Sequence, residues 1–192
     1  YVNYSGLEDY WTYHSQEVGR AGTVHVNDYN GNLIMVHDTM ATGGNLMPVA
    51  VSHVYNSNNC AVNLGYGYGF ALNYHQTLVK TKIGSTEYYK HTDGDGTIHY
   101  FYYDSTARKW KDESGLEQTL TIHTDGTEQL VIHDKEDNQL RFKAGRLVKI
   151  QDKNGNQLSV TWMENRVTAI TDGAGRKITL DYSLDANGKR TT

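Results

Sequence analysis

Asp152, Asn154 and Asn156 stand at alternate positions of "QDKNGNQLSVTW" (151–162), with Gly155 between the last two. Oxygen-bearing side chains at that spacing serve calcium loops, and they serve tight turns between strands equally well. The two readings need different neighbours. A calcium loop of the helix–loop–helix type beginning at Asp152 needs glycine at position 157 and a bidentate glutamate at position 163, where Gln157 and Met163 stand. In the sister stretch after Asp172 a ligand position is taken by Ala174, which carries no side-chain oxygen. The Gly-Gly-x-Gly-x-Asp order of calcium-binding β-helices is also missing. The turn reading is preferred, and no metal site is expected.

Other chemistry-bearing residues are weighed the same way. His25, His37, His53, His75, His91, His99, His123 and His133 mostly fall inside expected strands, and none has the His-x-x-x-His or Glu-x-x-His spacing of a helical metal site. They are read as structural or surface histidines. "LGYGYGF" (64–70) lacks the Lys-Ser/Thr and the following helix of a phosphate loop. Its glycines are read as allowing strands to cross closely, with Tyr66, Tyr68 and Phe70 packing around them. Cys60 is the only cysteine, so it makes no internal disulfide, and it is read as inert. No catalytic residue is assigned and no enzyme activity or cofactor is expected. The run Tyr100-Phe101-Tyr102-Tyr103 projects to both faces of a strand. Tyr100, Tyr102 and Tyr103 are therefore candidates for stacking on sugar rings, against the simpler use as packing.

These residues need elements to hold them, and a repeat supplies those elements. "GRLVKIQDKNGNQLSVTW" (145–162) matches "NRVTAITDGAGRKITLDY" (165–182) at a constant offset: Arg146 meets Arg166, Asp152 meets Asp172, Gly155 meets Gly175, and Trp162 meets Tyr182. A looser copy occupies 133–142, with Asp137 in the glycine position. The shared element is Asp-x-x-Gly, found as Asp28–Gly31, Asp93–Gly96, Asp112–Gly115, Asp152–Gly155, Asp172–Gly175 and Asp185–Gly188. Asp first and Gly fourth is the pattern of a type I turn closed by a left-handed residue. The flanks alternate with period two, Leu158, Val160 and Trp162 on one face and Ser159 and Thr161 on the other. Each unit then reads strand, turn, strand, and the fold class is all-β, an antiparallel meander with a curled sheet.

Composition agrees. Tyr 15 and Gly 19 against Pro 1 lean to strands and turns, and 38% hydrophobic residues are enough for a core. The net charge of −4 gives no basic excess for nucleic acid. No apolar run is long enough for a membrane helix. Residues 1–90 read as longer, less regular strands and 91–192 as the regular meander, with a soft boundary that fits one continuous sheet as well. A row of Leu158, Val160, Trp162, Ile178, Leu180 and Tyr182 must be covered, either by the sheet curling on itself or by a larger enclosure.

Together these residues give the chain a family likeness. Gly145-Arg146-Leu147, Ile150-x-Asp152, Gly155 and Leu158-x-Val160-x-Trp162 resemble the YD repeat of RHS (rearrangement hot spot) proteins, and "ITDGAGRKITLDYSLDANGKR" (170–190) is the nearest copy. Upstream, "GNL" (31–33), "MPVAVSHVYNS" (47–57) and "LGYGYGF" resemble the segment preceding those repeats, with Phe70 where Trp is usual and His53 where Arg is common. "GLEDYWTYHSQEVGRAG" (6–22) is similar to the variant in secreted or wall-associated RHS proteins of Gram-positive bacteria. The resemblance implies a fragment of a longer repetitive chain, secreted or cell-wall associated. Its partners would be downstream repeats and a C-terminal cargo of the same polypeptide, such as a toxin, enclosed in a β-shell. The expectation from a different class is a carbohydrate-binding module of a cell-surface protein.

Overall fold

The computed structural model describes residues 5–113, 115–124, 129–184 and 190–191, and these are all-β. Five antiparallel strands form the first sheet in chain order: β1 (Tyr13–Glu17), β2 (Thr23–Asn27), β3 (Leu33–Ala41), β4 (Ala50–Asn56) and β5 (Phe70–Leu72). The second sheet has eleven strands: β6 (Thr77–Ile83), β7 (Thr86–Thr92), β8 (Ile98–Asp104), β9 (Lys109–Asp112), β10 (Thr119–His123), β11 (Gln129–His133), β12 (Gln139–Lys143), β13 (Arg146–Gln151), β14 (Gln157–Met163), β15 (Arg166–Thr171) and β16 (Lys177–Thr179). A small hairpin, β17 (Ser183–Leu184) with β18 (Arg190–Thr191), follows. The change of sheet falls between Leu72 and Thr77, and residue 90 lies within β7.

The second sheet curls until it meets itself. Strands β6 to β13 pair each with the next, and the start of β13 returns to β6, with Arg146 opposite Thr77. Leu78 N–H donates to Gly145 O at 2.9 Å and Leu147 N–H to Gln76 O at 3.0 Å, which completes an eight-stranded barrel. A barrel of eight strands is just wide enough to be filled by side chains. Leu78, Tyr89, Phe101, Leu120, Ile132, Phe142 and Leu147, from seven of its strands, belong to the buried core. Each such side chain removed from water contributes roughly 1.5–3 kcal/mol.

The far half of β13 parts from β6 but stays paired with β12. Lys149–Gln151 pair with β14, so β14, β15 and β16 form a flap hinged on β13. Its apolar row is covered by the first sheet and its loops: Leu158, Val160, Val167, Ile170 and Ile178 share one core with Val49, Val51, Tyr66, Leu72 and Tyr74, while Trp162, Leu180 and Tyr182 pack at its margin. The N-terminal strands thus serve as the lid that the sequence required for the repeats.

Candidate functional site

The turns come first, because they aim everything else. At Asp152, Oδ1 accepts the N–H groups of Asn154 and Asn156, Oδ2 accepts Asn156 Nδ2, and Gly155 (φ +85°) donates its N–H to Asp152 O. Asp172 repeats this with Ala174, Arg176 and Gly175, and Arg176 Nε occupies its Oδ2 at 2.7 Å. Asp134 does the same with Glu136 and Asn138, its left-handed position filled by Asp137 at φ +65°. Hydrogen bonds that favour the charged form hold Asp134, Asp152 and Asp172 below the usual carboxylate range against the opposing pull of burial. Both carboxylate oxygens of Asp134, Asp152 and Asp172 are thus engaged within their own turns, the arrangement of a backbone cap rather than of a calcium loop.

Three other turns differ. At Asp28–Gly31 the cap is Asn27, whose Oδ1 accepts the N–H groups of Tyr29 and Asn30, while Asp28 pairs with His14. The reason is register: Asn27 ends β2, so the turn starts one residue before the motif. Asp112 caps a wider loop through Leu116 N–H and Gln118 N–H, with Gly115 at φ +74°. Asp185–Gly188 lies outside the described residues.

The Asp93–Gly96 turn has the standard backbone, with Asp93 Oδ1 accepting the N–H groups of Asp95 and Thr97. Its fifth residue is Thr97, whose hydroxyl turns to Asp95 Oδ1 at 2.6 Å. Asp93 Oδ2 is therefore available to His99, whose Nε2 lies 3.0 Å away and 3.5 Å from Glu8 Oε1. Glu8 arrives on an N-terminal strap threaded over this turn: Leu7 N–H donates to Asp95 Oδ2 at 2.6 Å and Gly6 N–H to Asn56 Oδ1 at 2.8 Å. Gly6 is required there, because a Cβ would lie 1.9 Å from Thr97 Oγ1. Burial raises Glu8 and pushes Asp93 well above the usual carboxylate range, while Asp95, despite burial, is held low by hydrogen bonds from Asp93, Thr97 and Leu7. Among the described residues, Glu8, Asp93 and His99 bring their ligand atoms together as a metal's would be. Sequence reasoning missed them: Glu8 is far away in the chain, and the one visible sign was Thr97 in place of the Asn or Arg that fills the second oxygen elsewhere.

The tyrosine run divides. Tyr102 and Tyr103 line a hollow of about 550 Å³ with Tyr88, Trp110, Glu87 and Glu113. Tyr103 is 51% exposed, and its ring lies 5.5 Å from that of Trp110. Tyr100 instead packs edge-on against Tyr88 at 6.0 Å.

A larger groove, about 690 Å³, runs between the first sheet (Met35, His53, Phe70) and the flap (Ile178, Leu180). Among the described residues β16 pairs only with β15, so its outer edge is open beside this groove. Behind it, two successive repeats are built alike. Trp162 Nε1 donates to Leu147 O at 2.6 Å with Arg146 over its ring, and Tyr182 OH donates to Val167 O at 2.5 Å with Arg166 over its ring. The β-bulges also correspond, at Arg141/Phe142 and Thr161/Trp162.

Residues 24–101, from β2 into β8, match a protein family described as "Domain of unknown function (DUF6531)". No curated protein matches the chain.

Proposed function

We propose that this chain is a scaffold segment of an RHS-type β-shell, in which strands are added repeat by repeat and another part of the same polypeptide is enclosed or displayed. The observation behind this reading is the self-similar flap. Two consecutive units share the turn, the bulge, the aromatic-to-carbonyl tie and the arginine over the ring, and the second ends on an open edge. An open strand edge with an apolar groove beside it is a template for a further strand. Secretion or wall association, and a toxin as cargo, go with this reading. It assigns the chain no catalysis. Hydrogen exchange tests it. In a longer parent polypeptide, β16 and the backbone at Phe70 exchange more slowly than in the 192-residue chain alone. Equal exchange in the two refutes the reading.

The hollow at Tyr102, Tyr103 and Trp110 favours a second reading, carbohydrate binding at a cell surface. Aromatic faces beside the carboxylates of Glu87 and Glu113 offer a sugar both C–H stacking and hydrogen-bond acceptors. Retardation in polysaccharide-containing native gels that disappears in Tyr102→Ala and Tyr103→Ala but persists in Tyr100→Ala supports this reading. Unretarded wild-type protein removes it.

A further inference from the structure

We propose that Glu8, Asp93 and His99 form a binding site for Zn²⁺, which clamps the N-terminal strap onto the β7–β8 turn. The first support is geometry. Tetrahedral zinc with bonds of about 2.1 Å holds neighbouring ligand atoms about 3.4 Å apart. His99 Nε2 lies 3.0 Å from Asp93 Oδ2 and 3.5 Å from Glu8 Oε1, and all three ligand atoms lie within 4.8 Å of one another.

The second support is charge. Glu8, Asp93 and Asp95 bring three carboxyl groups to one largely buried place. Among the described residues, the lysines and arginines that form ion pairs all do so elsewhere. Side-chain exposure is 10% at Glu8 and 5% at His99, so without a cation the carboxyl groups must be neutralised by protons and shared hydrogen bonds rather than by water. A divalent cation would displace those protons and balance the carboxylates directly.

A third observation is an orphaned atom nearby. His91, the cross-strand partner of His99, is 3% exposed, and its ring centre lies 5.9 Å from that of His99. Its Nε2 donates to Gln76 Oε1, which leaves Nδ1 a buried lone pair with no donor. A second imidazole with an unsatisfied nitrogen therefore stands beside the cluster.

The donor set selects the ion. Calcium and magnesium favour all-oxygen shells, whereas imidazole with carboxylates suits zinc. Three protein ligands leave a fourth position for water.

The test uses the whole chain stripped with chelator and titrated with Zn²⁺ in a calorimeter. Tetrahedral Co²⁺ absorption provides a second, coordination-specific readout. Glu8→Gln and His99→Gln should each lose one equivalent of Zn²⁺, or more than the roughly tenfold to hundredfold in affinity that loss of a mere outer-shell partner costs, together with the Co²⁺ spectrum. His37→Gln, on the first sheet, should keep both and so accounts for zinc taken by other histidines. Zinc should also raise the melting temperature of wild type more than that of Glu8→Gln, with circular dichroism showing both folded. Two outcomes overturn the proposal. One is folded variants that bind Zn²⁺ as wild type does. The other is a wild type that takes up no stoichiometric zinc at low micromolar concentration, which would make the cluster a hydrogen-bonded latch only.

Discussion

Removing one oxygen, by Tyr66→Phe, tests how the N-terminal strands are fastened to the repeats. Tyr66 lies in "LGYGYGF", where Gly65, Gly67 and Gly69 all have positive φ. A Cβ on Gly69 would lie 2.5 Å from the Tyr55 ring, so the backbone folds tightly enough to push Tyr66 inward. Its hydroxyl accepts the Val167 N–H of β15 at 3.2 Å and meets His75 Nδ1 at 2.9 Å. Burial pushes the phenol up and pulls His75 down to about 4, so both groups are neutral at pH 7 and share one hydrogen bond. Phenylalanine keeps the ring contacts with His75 and Tyr182 but strands a buried N–H and a buried ring nitrogen. Each orphaned group costs about 1–3 kcal/mol, so the two together are expected to cost about 2–6 kcal/mol. For a chain of this size that is a fall of about 4–24 °C in Tm. The assay is urea unfolding with thermal melting alongside, and an unchanged m-value shows that the same surface is exposed. Tyr68→Phe is the control: Tyr68 is 57% exposed and should stay within about 0.5 kcal/mol of wild type. A Tyr66→Phe loss no larger than that would refute the argument that this hydroxyl joins the two sheets.

Two further predictions follow from the same structure. His75 and His91, at about 4 and about 3, stay neutral in the fold while the unfolded chain protonates them near 6.5. Below that pH the unfolded state binds more protons, so each costs about 1.4 kcal/mol of stability per pH unit until its folded pKa is reached. Glu8 and Asp93, raised in the fold, oppose this at the acid end. The clean measurement is therefore the His75 ring by NMR, which should keep its neutral shifts at pH 5.5, and a midpoint near 6.5 would contradict the burial argument. At the Asp134 turn, Asp137→Gly relieves a left-handed residue at φ +65°, and strain of about 1–2 kcal/mol less a glycine entropy cost of about 0.5–1 kcal/mol leaves a net stabilisation of about 0.5–1 kcal/mol in urea. A lower urea midpoint would mean that the exposed His133–Asp137 contact outweighs the backbone strain.

The strand order of the repeats, their turns and their alternating faces could be read from the chain because each depends on neighbours a few residues apart. Asp152 with Gly155 sets a turn by local hydrogen bonds, and Leu158, Val160 and Trp162 set a face by the period of a strand. The copy at Asp134 shows the limit of pattern alone. Asp137 takes the left-handed position, so the turn survives a residue that breaks the motif. At Asp28 the reverse holds: the motif is present, yet Asn27 does the capping because strand register decides which side chain meets the turn.

What the sequence by itself determined is therefore the local grammar: all-β, antiparallel, repeated turns, and an apolar row that had to be covered. Tertiary structure decided what covers it and where groups from distant segments converge. Barrel closure depends on Arg146 meeting Thr77, and the lid depends on Tyr66 reaching Val167. The acid–histidine cluster depends on Glu8 crossing to Asp93 and His99. Each of these joins residues far apart in the chain, whose meeting depends on the summed twist and bulges of every strand between them. No short stretch of sequence carries that sum.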